Sequence, residues 1–364
     1  MTLPLTHHAA RRPVSSHTEP GLMALGVWTE RRPGQGEDAD PLLLHHRPTR
    51  CGVLGVFDGL GGAGSSIAWH DADGNARTDA WVASRMARLA TESWFAGEID
   101  DRRAWDSETQ APDIYTDLGA HLRQLFAGVR PTGRRSKVVG TMRRRLPTTV
   151  AALRYTARDS DVVCEALWAG DSRAYVLTPD AGLQALTRDH ADDPDVLSQL
   201  VQDPQMTNMV SADREFFVQR QPYGRIPLPC VLLCATDGFF GYVQTPGDFE
   251  HVLLNTLCRS TDLDDWAARL TSTVASYTGD DASLALVALG FRTFDELRAG
   301  CAERFAWLDR DASAMPDPRG AEAMRHWRAR AWERYRPGYE ARLPPPLASD
   351  ARSQGRTRDE GGTA

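Results

Sequence analysis

At 364 residues, 41% hydrophobic and 25% charged, the chain has ordinary globular composition and enough apolar side chains for a real core. Its formal charge of −7 argues against nucleic acid as the main partner. No stretch reaches the roughly 18 apolar residues of a spanning helix, so no membrane partner is expected. The six cysteines are scattered with no CxxC pair, which disfavours zinc or a disulfide framework and points to free thiols in a cytoplasmic protein.

Residues 1–20 are rich in Pro, His, Ser and Arg, have no apolar h-region, and read as a disordered lead-in. The run LMALGVW from Leu22 predicts a strand, followed by the turn-rich stretch ERRPGQGEDADP. A second run, CGVLGVFDG, ends at Gly59, and WHDADGNART then reads as a polar loop. Thr78 is a candidate N-cap for a helix with Val82, Met86 and Leu89 on one face, and a second helix is predicted over 113–127. Residues 130–145 carry seven basic side chains and no acid, either a solvated loop or a docking patch for an acidic phosphoprotein.

From Thr148 the segments TTVAALRYTA, VVCEALWAG, RAYVLT and LQALT are short, apolar and separated by turn residues, which predicts a β-meander. Several are apolar on both faces, so they need cover on each side. Further strands are predicted at CVLLCATDG and SLALVALG, with a helix over 264–276 placing Trp266, Leu270 and Val274 on one face. The fold class that results is α/β, with two stacked, mainly antiparallel β-sheets sandwiched between layers of α-helices, spanning 21–291. Residues 292–336 predict a Trp/Arg-rich helical extension that packs back to bury its tryptophans or docks a partner, and 337–364 a disordered tail.

Acidic residues recur where apolar strands start or stop: Asp58 before Gly59, Asp237 before Gly238, and Asp280–Asp281 before SLALVALG, with Glu37–Asp38 in the turn after the first strand. One Asp–Gly is usually a turn. Repetition at strand ends is different, because carboxylates converging at one sheet edge repel unless a cation neutralises them. Oxygen donors without His or Cys select Mg or Mn, and Gly59 lets its carbonyl approach an ion. Two such ions align a water for attack on phosphorus, so no nucleophilic side chain is needed.

In chain order, GEDAD, VFDGLGG, TTVAAL, WAGDSRAYVL, LTRDH, LLCATDG and GDDASLALVAL resemble the motifs of the metal-dependent Ser/Thr protein phosphatases, the PPM or type 2C family, in its bacterial branch. The resemblance spans 22–290. It implies that Asp58 bridges two Mn or Mg ions, with the Gly59 carbonyl on one of them. Asp237 and Asp280 would complete the first metal site, and Glu37 and Asp38 would serve the second. Asp171 matches a family Asp near an optional third ion, against the plain reading of an Asp-Ser hairpin turn. Catalysis would rest on Asp58, Asp237 and Asp280 through the activated water.

The chain departs from the family at two points. The usual phosphate-binding Arg position is Pro33, leaving Arg32, or alternatively Arg31, to take the phosphate. The His of the animal enzymes is Leu60. His190, Asp192 and Asp193 read as a hairpin exit and helix start rather than as catalytic groups. The segment 191–229, with Met206, Arg214, Phe216 and Phe217, corresponds to the family's variable flap. The function implied is hydrolysis of phosphoserine and phosphothreonine in proteins, opposing a Ser/Thr kinase partner. The alternatives are a pseudophosphatase that binds a phosphoprotein or kinase without turnover, and a hydrolase of small phosphate esters.

Overall fold

The computed structural model describes residues 14–100, 117–128, 144–193, 195–200, 204–317 and 319–346. The first half comprises strands β1 (Val14–Glu19), β2 (Leu22–Thr29), β3 (Leu42–His46), β4 (Cys51–Val56), β5 (Ile67–His70) and β6 (Ala76–Thr78), then helices α1 (Asp79–Asp100) and α2 (Leu118–Ala127). Next come β7 (Val150–Ala157), β8 (Asp161–Ala169), β9 (Arg173–Thr178), β10 (Gly182–Ala185), the short α3 (Val196–Gln199), β11 (Gln219–Pro227) and β12 (Cys230–Ala235). The chain continues through the short α4 (Asp237–Phe240), α5 (Pro246–Cys258), α6 (Leu263–Tyr277), β13 (Ala282–Leu289), α7 (Phe294–Ser313) and α8 (Ala321–Tyr339).

Two antiparallel sheets stack face to face, one ordered β1-β2-β13-β12-β9-β10 and the other β11-β8-β7-β4-β3. Alternation along the two-sided strands explains the layers. Leu232 and Cys234 of β12 and Ala285 and Val287 of β13 point between the sheets, against Leu54 and Val56 of β4. Val231 and Leu233 of β12, with Leu284 and Leu286 of β13, point outward under α5 and α6, where Trp266, Leu270 and Val274 are fully buried. On the other sheet Val53, Val150 and Ala152 lie under α1 and α2. The helix–sheet–sheet–helix order is therefore as the sequence predicts.

Several elements differ from expectation. Residues 14–19 are not a lead-in: β1 pairs with β2 from Val14↔Val27 to Glu19↔Leu22, its polar side chains tolerated because it is an edge strand. The supposed polar loop before α1 is the β5–β6 hairpin. The meander is split, because β7–β8 belong to one sheet and β9–β10 to the other, the chain crossing at Gly170 with φ 110°. Part of the flap is a strand, β11, paired to β8. Thr78 caps α1 as expected, its Oγ1 accepting from the Trp81 amide at 3.1 Å. The buried face of that helix, however, runs through Ala83, Met86, Ala87, Ala90 and Trp94, while Leu89 is exposed. The second helix begins at Leu118, capped by Asp117.

The C-terminal helices close the outer side of the first sheet, α7 packing against α5 and α8 against β10 and α5, with Leu297, Cys301, Leu308, Trp332, Tyr335 and Tyr339 joining the core there. At roughly 2 kcal/mol per buried large apolar side chain, six of them outweigh what holds a loose appendage. Pro337 does not end α8, because buried Tyr339 holds the last turn beyond it. The basic run through residue 143, residues 1–13 and the tail beyond 346 lie outside the described residues. All six cysteines are unpaired, and no described helix is long and apolar enough to cross a membrane.

Candidate functional site

The register brings the ends of strands from both sheets to one edge. Ala282 of β13 sits opposite Thr29 of β2, and Ala235 of β12 lies between Leu284 and Arg173. In the second sheet Val56 pairs with Ala151, and Val150 with Ala169. Five of the segments at that edge carry acids: Glu37–Asp38 after β2, Asp58 after β4, Asp171 before β9, Asp237 after β12 and Asp280–Asp281 before β13.

Threonines and serines fix these segments. The Asp58 carbonyl accepts from Thr148 Oγ1 at 2.6 Å and from the Thr149 amide at 2.9 Å, which explains the paired threonines ahead of β7. Thr149 Oγ1 in turn meets Ser172 Oγ at 2.6 Å, tying the Asp58 turn to the Asp171 turn. Thr236 Oγ1 accepts from the Ser283 amide and donates to Asp38 Oδ2, both at 2.9 Å. Thr78, besides capping α1, donates to Glu37 Oε1. Two glycines permit the convergence. A Cβ on Gly59 would lie 2.5 Å from the Glu37 carbonyl oxygen, and one on Gly238 would lie 2.0 Å from that of Asp281. No described group donates to the Gly59 carbonyl through a backbone hydrogen bond.

The carboxyls repel. Burial pushes Asp38 well above the usual carboxylate range, Asp281 and Asp237 push it further, and its hydrogen bond with Asp58 opposes them. Asp58 is raised well above its ordinary value by burial and by Asp38, Asp237 and Asp171, and Asp171 by burial, Asp237 and Asp189. Glu37 is raised by burial against the hydrogen bond from Thr78, with Asp281 and Asp280 adding to it. Asp280 is raised by partial burial, against the Asp281 amide bonded at 2.8 Å and the charge of Arg31.

Asp280 lies at the junction of two cavities. One, of about 570 Å³, is lined by Glu37, Asp280, Asp281, Arg31 and Arg32 together with the β5–β6 hairpin. The other, of about 330 Å³, is lined by Asp171, Asp237, Arg173 and Tyr242. Every predicted acid is thus at this edge, and both candidate arginines are beside it.

Among the described residues no three His, Cys, Asp or Glu side chains close on one point as a cage. The donor chemistry nevertheless fits hard cations: buried oxygen ligands that raise one another's affinity for protons, and an Asp171 Oδ1 that is buried without a hydrogen-bond partner. Divalent ions would satisfy what protons satisfy here.

Sequence reasoning underrated Asp281. Its Oδ1 accepts from the Arg31 amide at 2.8 Å and its Oδ2 from the Glu37 amide at 2.6 Å, so it clamps the loop that presents Arg31, Arg32 and Glu37. The doubled acid before β13 was the available signal. The Asp171 turn is a crossover between sheets and not a hairpin, since β8 and β9 are not paired.

His190 is structural. Its Nδ1 accepts from the Gly170 amide at 3.1 Å, its Nε2 meets Gln219 Oε1 at 2.9 Å, and its ring stacks on Trp168 with centroids 5.9 Å apart. Asp193 accepts from the Asp195 amide at 2.9 Å, and Asp195, one residue before the short α3, caps it. Buried Phe216 joins the core under α1 and α2, whereas Arg214 and Phe217 are exposed.

Among solved structures, the serine/threonine phosphatase PstP/Ppp of Mycobacterium tuberculosis matches 74% of this chain and 99% of its own, at TM-score 0.50 and 16% identity. The chain has the PPM-type phosphatase fold. Stp1 of Staphylococcus aureus (TM-score 0.48, 19% identity, 75% of this chain and 98% of its own) and PppA of Pseudomonas aeruginosa (0.47, 19%, 76% and 100%) are also similar. No family model matches the sequence, and no curated protein does. In terms of this fold, the acid-bearing edge is where both sheets end, and α7 and α8 lie on the far side of the first sheet.

Proposed function

We propose that this chain is a metal-dependent phosphatase that removes phosphate from phosphoserine and phosphothreonine in proteins, opposing a Ser/Thr kinase. The observation that carries the reading is the gathering of Asp38, Asp58, Asp171 and Asp237, mutually repelling, at one edge of a PPM-type fold. Asp58, Asp237, Asp280 and the Gly59 carbonyl are the groups we assign to a first Mn or Mg ion, Asp58 with Glu37 and Asp38 to a second, and Asp171 to an optional third. When bound, such ions supply Lewis acidity toward water and the phosphoryl group.

The chain's own residues do the rest. Thr148 and Thr149 hold the Asp58 backbone, Thr236 orients Asp38, and Asp281 holds the Arg31–Glu37 loop. Arg31 and Arg32 both line the cleft beside Asp280 and suit a phosphate dianion. Leu60 supplies no proton, so protonation of the leaving group falls to solvent.

The reading is tested by following phosphate release from p-nitrophenyl phosphate and a phosphothreonine peptide with Mn, with Mg and with EDTA. Turnover with metal that EDTA abolishes is expected. A folded protein silent on both substrates would overturn it and favour the second reading, a phosphoprotein-binding pseudophosphatase, which Pro33 at the usual arginine position supports.

A further inference from the structure

Strand β10 is the last strand of the first sheet, with β9 as its neighbour, and an edge of this kind needs cover. The C-terminal helices supply it. Arg304 of α7 donates from Nε and Nη2 to the Glu250 carboxylate of α5, both at 2.8 Å, and the Tyr335 hydroxyl of α8 donates to the same carboxylate at 2.7 Å. The Arg304 guanidinium lies against Gly182, the first residue of β10, in space a Cβ would fill. Tyr339, at the end of α8, is buried with its ring 6.2 Å from that of Tyr175 in β9.

Beyond Tyr339 the chain continues along this edge as a strap. Gln184 of β10 donates from Nε2 to the Gly338 carbonyl at 3.3 Å and accepts from Arg342 Nε at 2.9 Å. Arg188, just past β10, donates from Nε to the carbonyl of buried Pro344 at 3.1 Å. Between these anchors Leu343 packs against the core of the first sheet.

The segment so held leads into the candidate site. Thr187 Oγ1 accepts from the Ala174 amide at 2.9 Å. Asp189 accepts from Arg173 Nε at 2.8 Å and Nη2 at 2.7 Å, and the same Nη2 donates to Gln199 Oε1 at 2.8 Å. The His190 amide donates to the Gly170 carbonyl at 3.0 Å, and its Nδ1 accepts from the Gly170 amide. Gly170 and Arg173 bracket Asp171 in the chain, and Asp171, Arg173, Asp189 and Gln199 line the smaller cavity together with Asp237. Arg188 and Asp189 are consecutive, so no slack length of chain separates the strap from the cavity wall. A site keeps its geometry only when the groups behind it are themselves held.

We infer that the C-terminal strap, residues 338–344, is a positioning element for the candidate site, with Arg188 and Arg342 as the positioning residues that hold the 184–190 segment against the Asp171 turn. For its effect on turnover the inference rests on the proposed phosphatase reading, whereas the order of the segment is independent of it. An extension that only covered the sheet would act on global stability and on nothing nearer the site.

The test compares the Arg188→Ala/Arg342→Ala double variant with Arg334→Ala, which removes an ion pair between α8 and α7 (Arg334 with Asp311 at 2.9 Å) away from the strap. Amide hydrogen exchange of the full-length protein is followed by mass spectrometry in EDTA, and hydrolysis of a phosphothreonine peptide is followed in Mn. Residues 186–193 should exchange about tenfold faster in the double variant, the effect of two lost hydrogen bonds, and at the wild-type rate in Arg334→Ala. In the double variant kcat should fall about fivefold with KM within about twofold of wild type, and Arg334→Ala should change neither. Arg188→Ala alone tests the same anchor should the double variant not fold, with a change of about threefold expected, and Arg188→Lys, still able to donate to Pro344, should recover most of it. Exchange that stays at the wild-type rate in the strap variants, or rises equally in Arg334→Ala, overturns the inference and leaves the phosphatase reading standing. Faster exchange with unchanged kcat overturns it as well. A wild-type protein silent in Mn sinks the phosphatase reading instead, and the exchange comparison alone then decides the strap.

Discussion

The two ends of the same β-sandwich handle charge in opposite ways. At the end away from the candidate site, acids are matched by cations: Glu19 pairs with Arg47 at 2.6 Å and faces His45, and Asp159 pairs with Arg50 at 2.6 Å. Despite some burial, the hydrogen bond with His17 and the charge of Arg47 hold Glu19 below the ordinary carboxylate range. At the site end Asp38, Asp58 and Asp171 crowd one another and are pushed up instead. Arginine is not lacking there. Arg173 is committed to Asp189 at 2.7 Å, and Arg85 spends its donors on the Glu37 and Gly36 carbonyls at 2.8 and 3.1 Å. The fold settles charge at one end and leaves it unsettled at the other, which is the arrangement the proposed cations would settle.

The largest effect should come from removing the acid shared by both proposed ions. Asp58→Asn should lower kcat on the phosphopeptide at least about 1,000-fold while the circular dichroism spectrum is retained. Near wild-type turnover would remove Asp58 from the site. Asp281→Ala, which frees the Arg31 and Glu37 amides, should lower kcat/KM roughly tenfold by loosening the loop, with Asp281→Asn recovering part of it. Equal losses in the two variants would instead point to the charge of Asp281.

The contrast also has a thermodynamic form. A carboxyl whose pKa is higher in the fold than in the unfolded chain gives stability that is complete below the unfolded value, roughly 4, and lost as pH rises through the folded value. Metal-free protein should therefore unfold more easily at pH 8 than at pH 5. Mg or Mn should restore the midpoint at pH 8, and Asp58→Asn in EDTA should raise it by about 3 °C at pH 8 and leave it nearly unchanged at pH 5. A midpoint in EDTA that climbs from pH 5 to pH 8 would contradict the repulsion. The smallest effect is expected at the settled end: Arg47→Ala, with a largely exposed side chain, should cost no more than about 0.5 kcal/mol in urea denaturation.

The sequence made the two-sided strands plain, because Val231 to Ala235 and Leu284 to Ala288 are apolar at every position and only cover on both faces accommodates that. It also placed the acids at strand ends, since Asp58, Asp237 and Asp280 each abut an apolar run. Polar edge elements were less legible. β1 reads VSSHTE, and its strand state comes from pairing with β2 rather than from its side chains. The β5–β6 hairpin was hidden for the same reason, its brace being an Asp71–Arg77 contact that composition does not announce.

By itself, the sequence determined the layered class and which carboxylates stand at strand ends, because both follow from local periodicity and from where apolar runs stop. Tertiary structure alone decided that Glu37, Asp58, Asp171 and Asp237 share one edge, that the chain crosses between sheets at Gly170, and that Asp281 holds the arginine loop. Those facts depend on register between strands as far apart in sequence as β2 and β13, and one residue of slip would turn every side chain to the other face.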